Sequence, residues 1–161
     1  MIVPPRKVSE AVFGAIRKSF EDDKSCHLFY TDCGYGILDW FRDNNRATNV
    51  GIAEQNAVDL AIGTAYNGMR PWIYSHASFL IFRAFESLRL LVRMSDIVVK
   101  LIGGGAGNYF EHLSSLHTAG DEDLRACDAI CLPVYNCVGA KFDPEVVNDF
   151  VTDYVTAYLR I

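Results

Sequence analysis

Between residues 48 and 66 the chain passes from a strand end, Thr48 to Ile52, directly into a run in which Ala53, Ala57, Ala61 and Ala65 recur every fourth residue. Residues four apart share one helix face. The spacing therefore predicts a helix over 54–66 with one face almost free of side-chain bulk, against which another backbone packs closely. A carboxylate, Glu54, enters at the start of that helix. An acidic residue there gains about 0.3–1 kcal/mol from the helix dipole alone, which is the plain structural account of it. A carboxylate carried into a tightly packed region also needs a partner, which makes Glu54 a candidate site residue.

The rest of the chain alternates helix and strand signals. Val8, Ala11, Val12, Ala15, Ile16 and Phe20 form a helical stripe, and His27 to Thr31 reads as a strand. Further on, the pattern predicts a strand over 71–74, an amphipathic helix over 82–93, an apolar strand over 97–102 and a short helix over 121–128. A strand over 130–133, a helix over 144–154 started by Asp143 and Pro144, and a final strand over 157–161 complete it. Strands separated by helices imply parallel crossovers. The expected fold is α/β, a three-layer doubly wound parallel sheet covered by helices on both faces. At 161 residues, with no internal repeat or linker, the chain is expected to form one domain over 1–161.

Charge and composition exclude several functions. A net charge of −5 without a Lys/Arg block argues against nucleic acid or an anionic membrane as partner. No stretch approaches the ~20 apolar residues of a membrane span. The opening run Met1 to Lys7 lacks a signal-peptide core, so a cytoplasmic location is expected. The five cysteines, Cys26, Cys33, Cys127, Cys131 and Cys137, include no Cys-x-x-Cys pair and are expected to be buried and reduced. His112 and His117 flank no helical i, i+4 zinc pair, and no metal site is expected in this chain.

In an open parallel sheet ligands gather at the carboxyl ends of the strands. The loops expected there are Asp32-Cys33-Gly34-Tyr35-Gly36, the entry to Glu54, Ser75-His76-Ala77-Ser78, and Gly103-Gly104-Gly105-Ala106-Gly107 running on to His117. The glycine run matches neither the P-loop nor the dinucleotide fingerprint and reads as a turn allowing close approach. Phe79, Phe82 and Phe85 recur every third residue, a spacing that by itself describes the core face of a helix.

Gly51-Ile52-Ala53-Glu54-Gln55-Asn56-Ala57, followed by Gly63, Gly68, Pro71 and then Ser78-Phe79-Leu80 before an arginine-containing helix, resembles the pyrimidine-binding domain of transketolases and deoxyxylulose-phosphate synthases. The resemblance extends from near Lys7 to Tyr158-Leu159-Arg160-Ile161. It implies the thiamine-diphosphate-binding fold and thiamine diphosphate as cofactor. Glu54 would donate a proton to a pyrimidine ring nitrogen, and Phe79, Phe82 and Phe85 would form the aromatic pocket for that ring. His117 would face the substrate and the thiazolium, and Asp32 would approach the edge of the dimer-related cofactor. Arg83 and Arg89 are expected to face subunits or solvent.

The resembled enzymes bind Mg²⁺ and the diphosphate with a Gly-Asp-Gly…Asn run that this chain lacks. Either the chain is an excised domain or, as expected here, it is the small subunit of a split enzyme: a separately encoded diphosphate-binding subunit, joined in an α2β2 hetero-oligomer, with Mg²⁺ held by that partner and two-carbon transfer between small carbonyl substrates. A 2-oxoacid decarboxylase or dehydrogenase subunit, or a non-catalytic interaction domain of the same fold, are the alternatives. Leu113-Ser114-Ser115-Leu116 stands where the family has an acidic sugar contact, so an ordinary sugar phosphate is not the expected acceptor.

Overall fold

The computed structural model describes residues 5–94, 96–139 and 143–161, so Met1 to Pro4, the start of the run in which a leader was sought, lie outside the described residues. The first helix, α1 (Pro5–Asp22), follows its apolar stripe, and Val12, Ile16 and Phe20 are wholly buried. Among the described residues six strands follow in chain order: β1 (Cys26–Tyr30), β2 (Ala47–Asn49), β3 (Arg70–His76), β4 (Lys100–Gly104), β5 (Val134–Asn136) and β6 (Ala157–Arg160). They pair in parallel as one sheet in the order β2-β1-β3-β4-β6-β5.

Alternation along each strand sorts side chains to two cores. Leu28, Trp72, Ile102 and Leu159 pack with α1, α2 (Asp39–Arg42) and α7 (Pro144–Thr152). Phe29, Ile73, Leu101 and Tyr158 pack on the other face with α3 (Glu54–Tyr66), α4 (Ala77–Arg83), α5 (Phe85–Leu91) and α6 (Glu122–Ala129). This is the three-layer, doubly wound α/β sheet expected from the sequence. The start of α7 follows its signal, since the Asp143 carboxylate accepts from Glu145 N at 2.9 Å with Pro144 in the first turn.

Several boundaries differ for identifiable reasons. The helix expected over 82–93 is two helices that begin at Ala77 and break at Ala84, whose ψ of 13° leaves the helical range. The stretch expected to loop at Ser75 to Ser78 is continuous, β3 running straight into α4. Residues 130–133 are not a strand: Cys131 turns the chain with φ 59°, and β5 starts at Val134. Cys131 is therefore exposed, while the other four thiols are buried as expected.

The strand expected over 97–102 starts at Lys100 and takes in Gly103 and Gly104. These two glycines are a packing requirement, not a loop. A Cβ on Gly103 would lie 2.4 Å from the Tyr158 hydroxyl, and one on Gly104 would lie 2.5 Å from that of Tyr74, so a ring closes over the strand on each face.

Lys100 is 2% exposed, its Nζ has no hydrogen-bond partner among the described residues, and it lies 5.0 Å over the Phe150 ring. Burial holds its pKa down to about 8 from an ordinary 10.5, partly offset by Asp153. Below the lower value both folded and unfolded chains carry the charge, and the burial cost is present in full. Between the two values the folded chain releases a proton that the unfolded chain keeps, so the cost diminishes as pH rises. Lys100→Met should therefore stabilise the protein by about 1–2 kcal/mol at pH 7. The advantage over wild type should shrink as pH rises from about 8 to 10.5. Parallel urea titrations of both proteins across that range measure it.

Candidate functional site

Chain direction across the sheet reverses between β1 and β3, since β1 leads outward to β2 while β3 leads the other way to β4. A crevice opens at such a switch point beyond the strand ends, and this is where ligands enter doubly wound sheets. The polar residues lining this one form a connected chain. Thr31, just past β1, lies with its Oγ1 2.5 Å from Ser75 Oγ at the end of β3. Thr31 also lies 3.7 Å from Cys33 Sγ, and the Ser75 hydroxyl donates a long 3.5 Å contact to Glu54 Oε1.

Glu54 is the first residue of α3 and is 3% exposed. The turn that brings it there, Val50 to Ala53, uses Gly51 at φ 73°, a conformation that disfavours side chains. Its charge is met by Arg83, whose Nη1 donates to Oε1 at 3.2 Å and to Oε2 at 3.1 Å. The Arg83 guanidinium also covers the Phe79 ring at 3.7 Å from its centroid. Arg83 thus faces the candidate site, correcting its expected orientation toward subunits or solvent; Arg89 instead pairs with Glu86 at 2.7 Å. An open groove of about 440 Å³, lined by Ala53, Glu54, Gln55, Asn56, Asp59 and Arg83, gives access to this pair.

From Phe79 the contacts run on to His117, at 5.0 Å between ring centroids, and to His76 at 5.7 Å. Phe110 closes the cluster at 4.9 Å from His76. Ser114 Oγ lies 2.8 Å from His117 Nδ1, which fixes the ring and directs Nε2 away from that serine. His76, half-buried, has its pKa lowered by burial first and by His117 second, so a neutral imidazole is favoured. Burial likewise pushes the Cys33 thiol up.

The loop carrying His117 is held at its base. Gly107 and Gly120 form an antiparallel bridge, and the Ser78 hydroxyl donates to Leu116 O at 3.0 Å. Arg160 of β6, 1% exposed, donates to Gly120 O, to Asp121 Oδ1 at 3.2 Å and to Asp123 Oδ2 at 2.8 Å. Tyr158 donates to the same Asp123 oxygen at 3.0 Å, and burial with that contact raises its pKa well above the usual value.

Of the residues singled out from sequence, Glu54, Phe79 and His117 come together in one continuous cluster. The contacts that link these three do not include the other three. Asp32 is exposed with φ 39°, and its carboxylate accepts from Asn49 Nδ2 at 3.2 Å, tying the ends of β1 and β2 together. Phe82 is 45% exposed, and Phe85 lies beyond the break at Ala84 that interrupts the three-residue repeat. Ser75, His76 and Phe110 were expected only as parts of rim loops, with no role of their own, and Arg83 and Thr31 were not expected in the site. Only Arg83 had a local signal, its position one turn beyond Phe79.

A model of the transketolase pyrimidine-binding domain matches residues 7–129. The chain belongs to that family. Over 78 residues it is 38% identical to an apulose-4-phosphate transketolase subunit of Actinobacillus succinogenes, an alignment covering 48% of this chain and 25% of that protein. The like-named protein of Phocaeicola vulgatus is 32% identical over 114 residues, 64% of this chain and 36% of that one. A protein of Rhodococcoides fascians described as an uncharacterized 33.6 kDa protein in fasciation locus is 38% identical over 80 residues, 49% of this chain and 26% of its own. Each alignment thus spans only a quarter to about a third of the relative. Among solved structures, a split-gene transketolase, an inactive beta4 tetramer, superposes with a TM-score of 0.71 at 23% identity, over 95% of this chain and half of that one, which shows a shared fold.

Breaking the Arg160 clamp should loosen the loop that carries His117. Asp123→Asn leaves a buried guanidinium short of a counter-charge and should cost about 3 kcal/mol of stability. The same variant should speed amide hydrogen exchange over residues 105–121 beyond the global change. Urea denaturation and hydrogen-exchange mass spectrometry measure the two effects.

Proposed function

We propose that this chain supplies the pyrimidine side of a thiamine-diphosphate site in a transketolase-type transferase, completed by a separate subunit that holds Mg²⁺ and the diphosphate. The observation that carries this reading is Glu54, a buried carboxylate at the sheet's switch point with an aromatic face, Phe79, linked to it by a flat nitrogen-donor group. What occupies the space between them now tests the fit. A planar N–H donor already sits against both, and an aminopyrimidine offers the same two features, a flat face and ring-edge nitrogens. The residues present therefore fit the group.

When bound, thiamine diphosphate supplies a thiazolium carbon nucleophile that makes and breaks bonds next to a carbonyl. The protein's part in that chemistry follows from its own residues. Glu54 would hold a proton at the pyrimidine ring nitrogen, with the Ser75 hydroxyl fixing one carboxyl oxygen. Phe79 would stack on the ring, worth about 0.5–1.5 kcal/mol beyond the area it buries. His117, with Nδ1 fixed by Ser114, would present Nε2 to a substrate oxygen.

Two of the relatives are named for apulose 4-phosphate, which supports two-carbon transfer involving a phosphorylated sugar. Phosphate is gripped by Arg or Lys. Arg160 is buried beneath the His117 loop, and we assign the cations for a substrate phosphate to the partner subunit. A hetero-oligomer with two copies of each chain is the proposed assembly.

Replacing Glu54 by Gln keeps the shape and removes the transferable proton. In the complex reconstituted with the diphosphate-binding subunit, exchange of the thiazolium proton followed by NMR should slow by roughly 10²–10⁴, while the complex still assembles on a sizing column. Exchange at the wild-type rate in Glu54→Gln would refute the role.

A further inference from the structure

The two groups that the proposed function gives to the cofactor's pyrimidine are the two groups that Arg83 now occupies. Its Nη1 lies 3.2 and 3.1 Å from the Glu54 oxygens, and its guanidinium covers the Phe79 ring at 3.7 Å. A guanidinium is flat, delocalised and edged with N–H donors, so it reproduces the shape and hydrogen-bonding of the ring edge it excludes. A pyrimidine cannot stack on the same face of Phe79 or reach both oxygens of a carboxylate 3% exposed while the guanidinium stays there.

The contact is also built to release. Both hydrogen bonds come from one nitrogen, so the two-nitrogen fork that makes arginine–carboxylate pairs strong is not used. The Arg83 side chain is 44% exposed and borders the open groove, giving the guanidinium water to move into without unfolding anything. The buried carboxylate, by contrast, has nowhere to go, because α3 and β3 hold it.

We propose that Arg83 is a placeholder for the cofactor's aminopyrimidine: in the free chain it neutralises Glu54 and covers Phe79, and it swings into the groove when the pyrimidine enters. This rests on the proposed function. The free chain then bears the cost of opening before it binds, and its apparent affinity is lowered by the fraction of molecules already open. Placing the placeholder on the pyrimidine side keeps the Glu54 carboxylate paired until cofactor and partner arrive together.

The test uses the full chain and 4-amino-2-methylpyrimidine, which carries no diphosphate and so needs no second subunit. Titration followed by NMR of labelled phenylalanine rings should show Arg83→Ala binding the probe about tenfold more tightly than wild type, the change expected if about a tenth of the wild-type chains are open. Arg83→Lys keeps the charge but loses the flat face, and should fall between the two; it serves where Arg83→Ala does not fold. Millimolar guanidinium should raise the melting temperature of Arg83→Ala, leave that of Arg83→Ala/Glu54→Gln unchanged, and compete with the probe. Equal affinity in wild type and variants overturns the placeholder and leaves the pyrimidine site standing. Weaker binding in the variants overturns it too, making Arg83 a contact to the ring. Probe binding to none of the proteins, with guanidinium rescue intact, overturns it and removes the pyrimidine reading with it.

Discussion

A carboxylate almost wholly removed from water organises this end of the molecule. Glu54 is 3% exposed, and such a charge persists only where hydrogen bonds and an opposite charge replace its hydration. The surrounding architecture serves that need. The small-residue face of α3 packs close to the sheet and brings Glu54 to the end of β3. Ser75 shares the Ile73 face of β3, two residues on, and so reaches the carboxylate from below. Because β3 enters α4 without a loop, Arg83 arrives from the same element pair within two helical turns. One strand-to-helix junction thus supplies both the hydroxyl and the cation.

The second half of the site depends on a different buried charge. Arg160 and Asp123 lie beneath the loop that carries His117, and their ion pair is fully desolvated, with Tyr158, Asn136, Asp121 and the loop backbone making further hydrogen bonds to it. A pair of this kind contributes little net stability compared with apolar packing, but it tolerates few alternative geometries. That specificity suits a loop whose exposed Tyr109, Leu113 and Leu116 would otherwise favour collapse onto the surface. Gly105, at φ 68° beneath Phe110, completes the fit where any side chain would strike the ring.

The architecture was legible because it rests on periodicity. Alternating short apolar runs and helical stripes specify parallel crossovers, and the alanine spacing in α3 marks a helix face that packs on the sheet, all of which are local signals. Glu54 stood out for the same reason, as a lone charge at the entry to that helix. Boundaries failed where geometry turns on a single residue: the break at Ala84, the left-handed turn at Cys131, and the two glycines claimed by tyrosine rings from neighbouring strands.

Spacing along the chain is enough to specify the layers, the strand direction and the entry of the acid, whereas Phe79 was singled out only by the family resemblance. What those groups touch depends on the assembled fold. Thr31 meets Ser75 because β1 and β3 are neighbours at the switch point, and strand order is not encoded in any local pattern. Phe85 parts from Phe79 and Phe82 because the helix breaks at Ala84, and Asp32 turns to Asn49 because β2 lies beside β1. Arg83 turns inward because a carboxylate shielded from water attracts a cation more strongly than the solvent does, a balance set by burial that no spacing along the chain records.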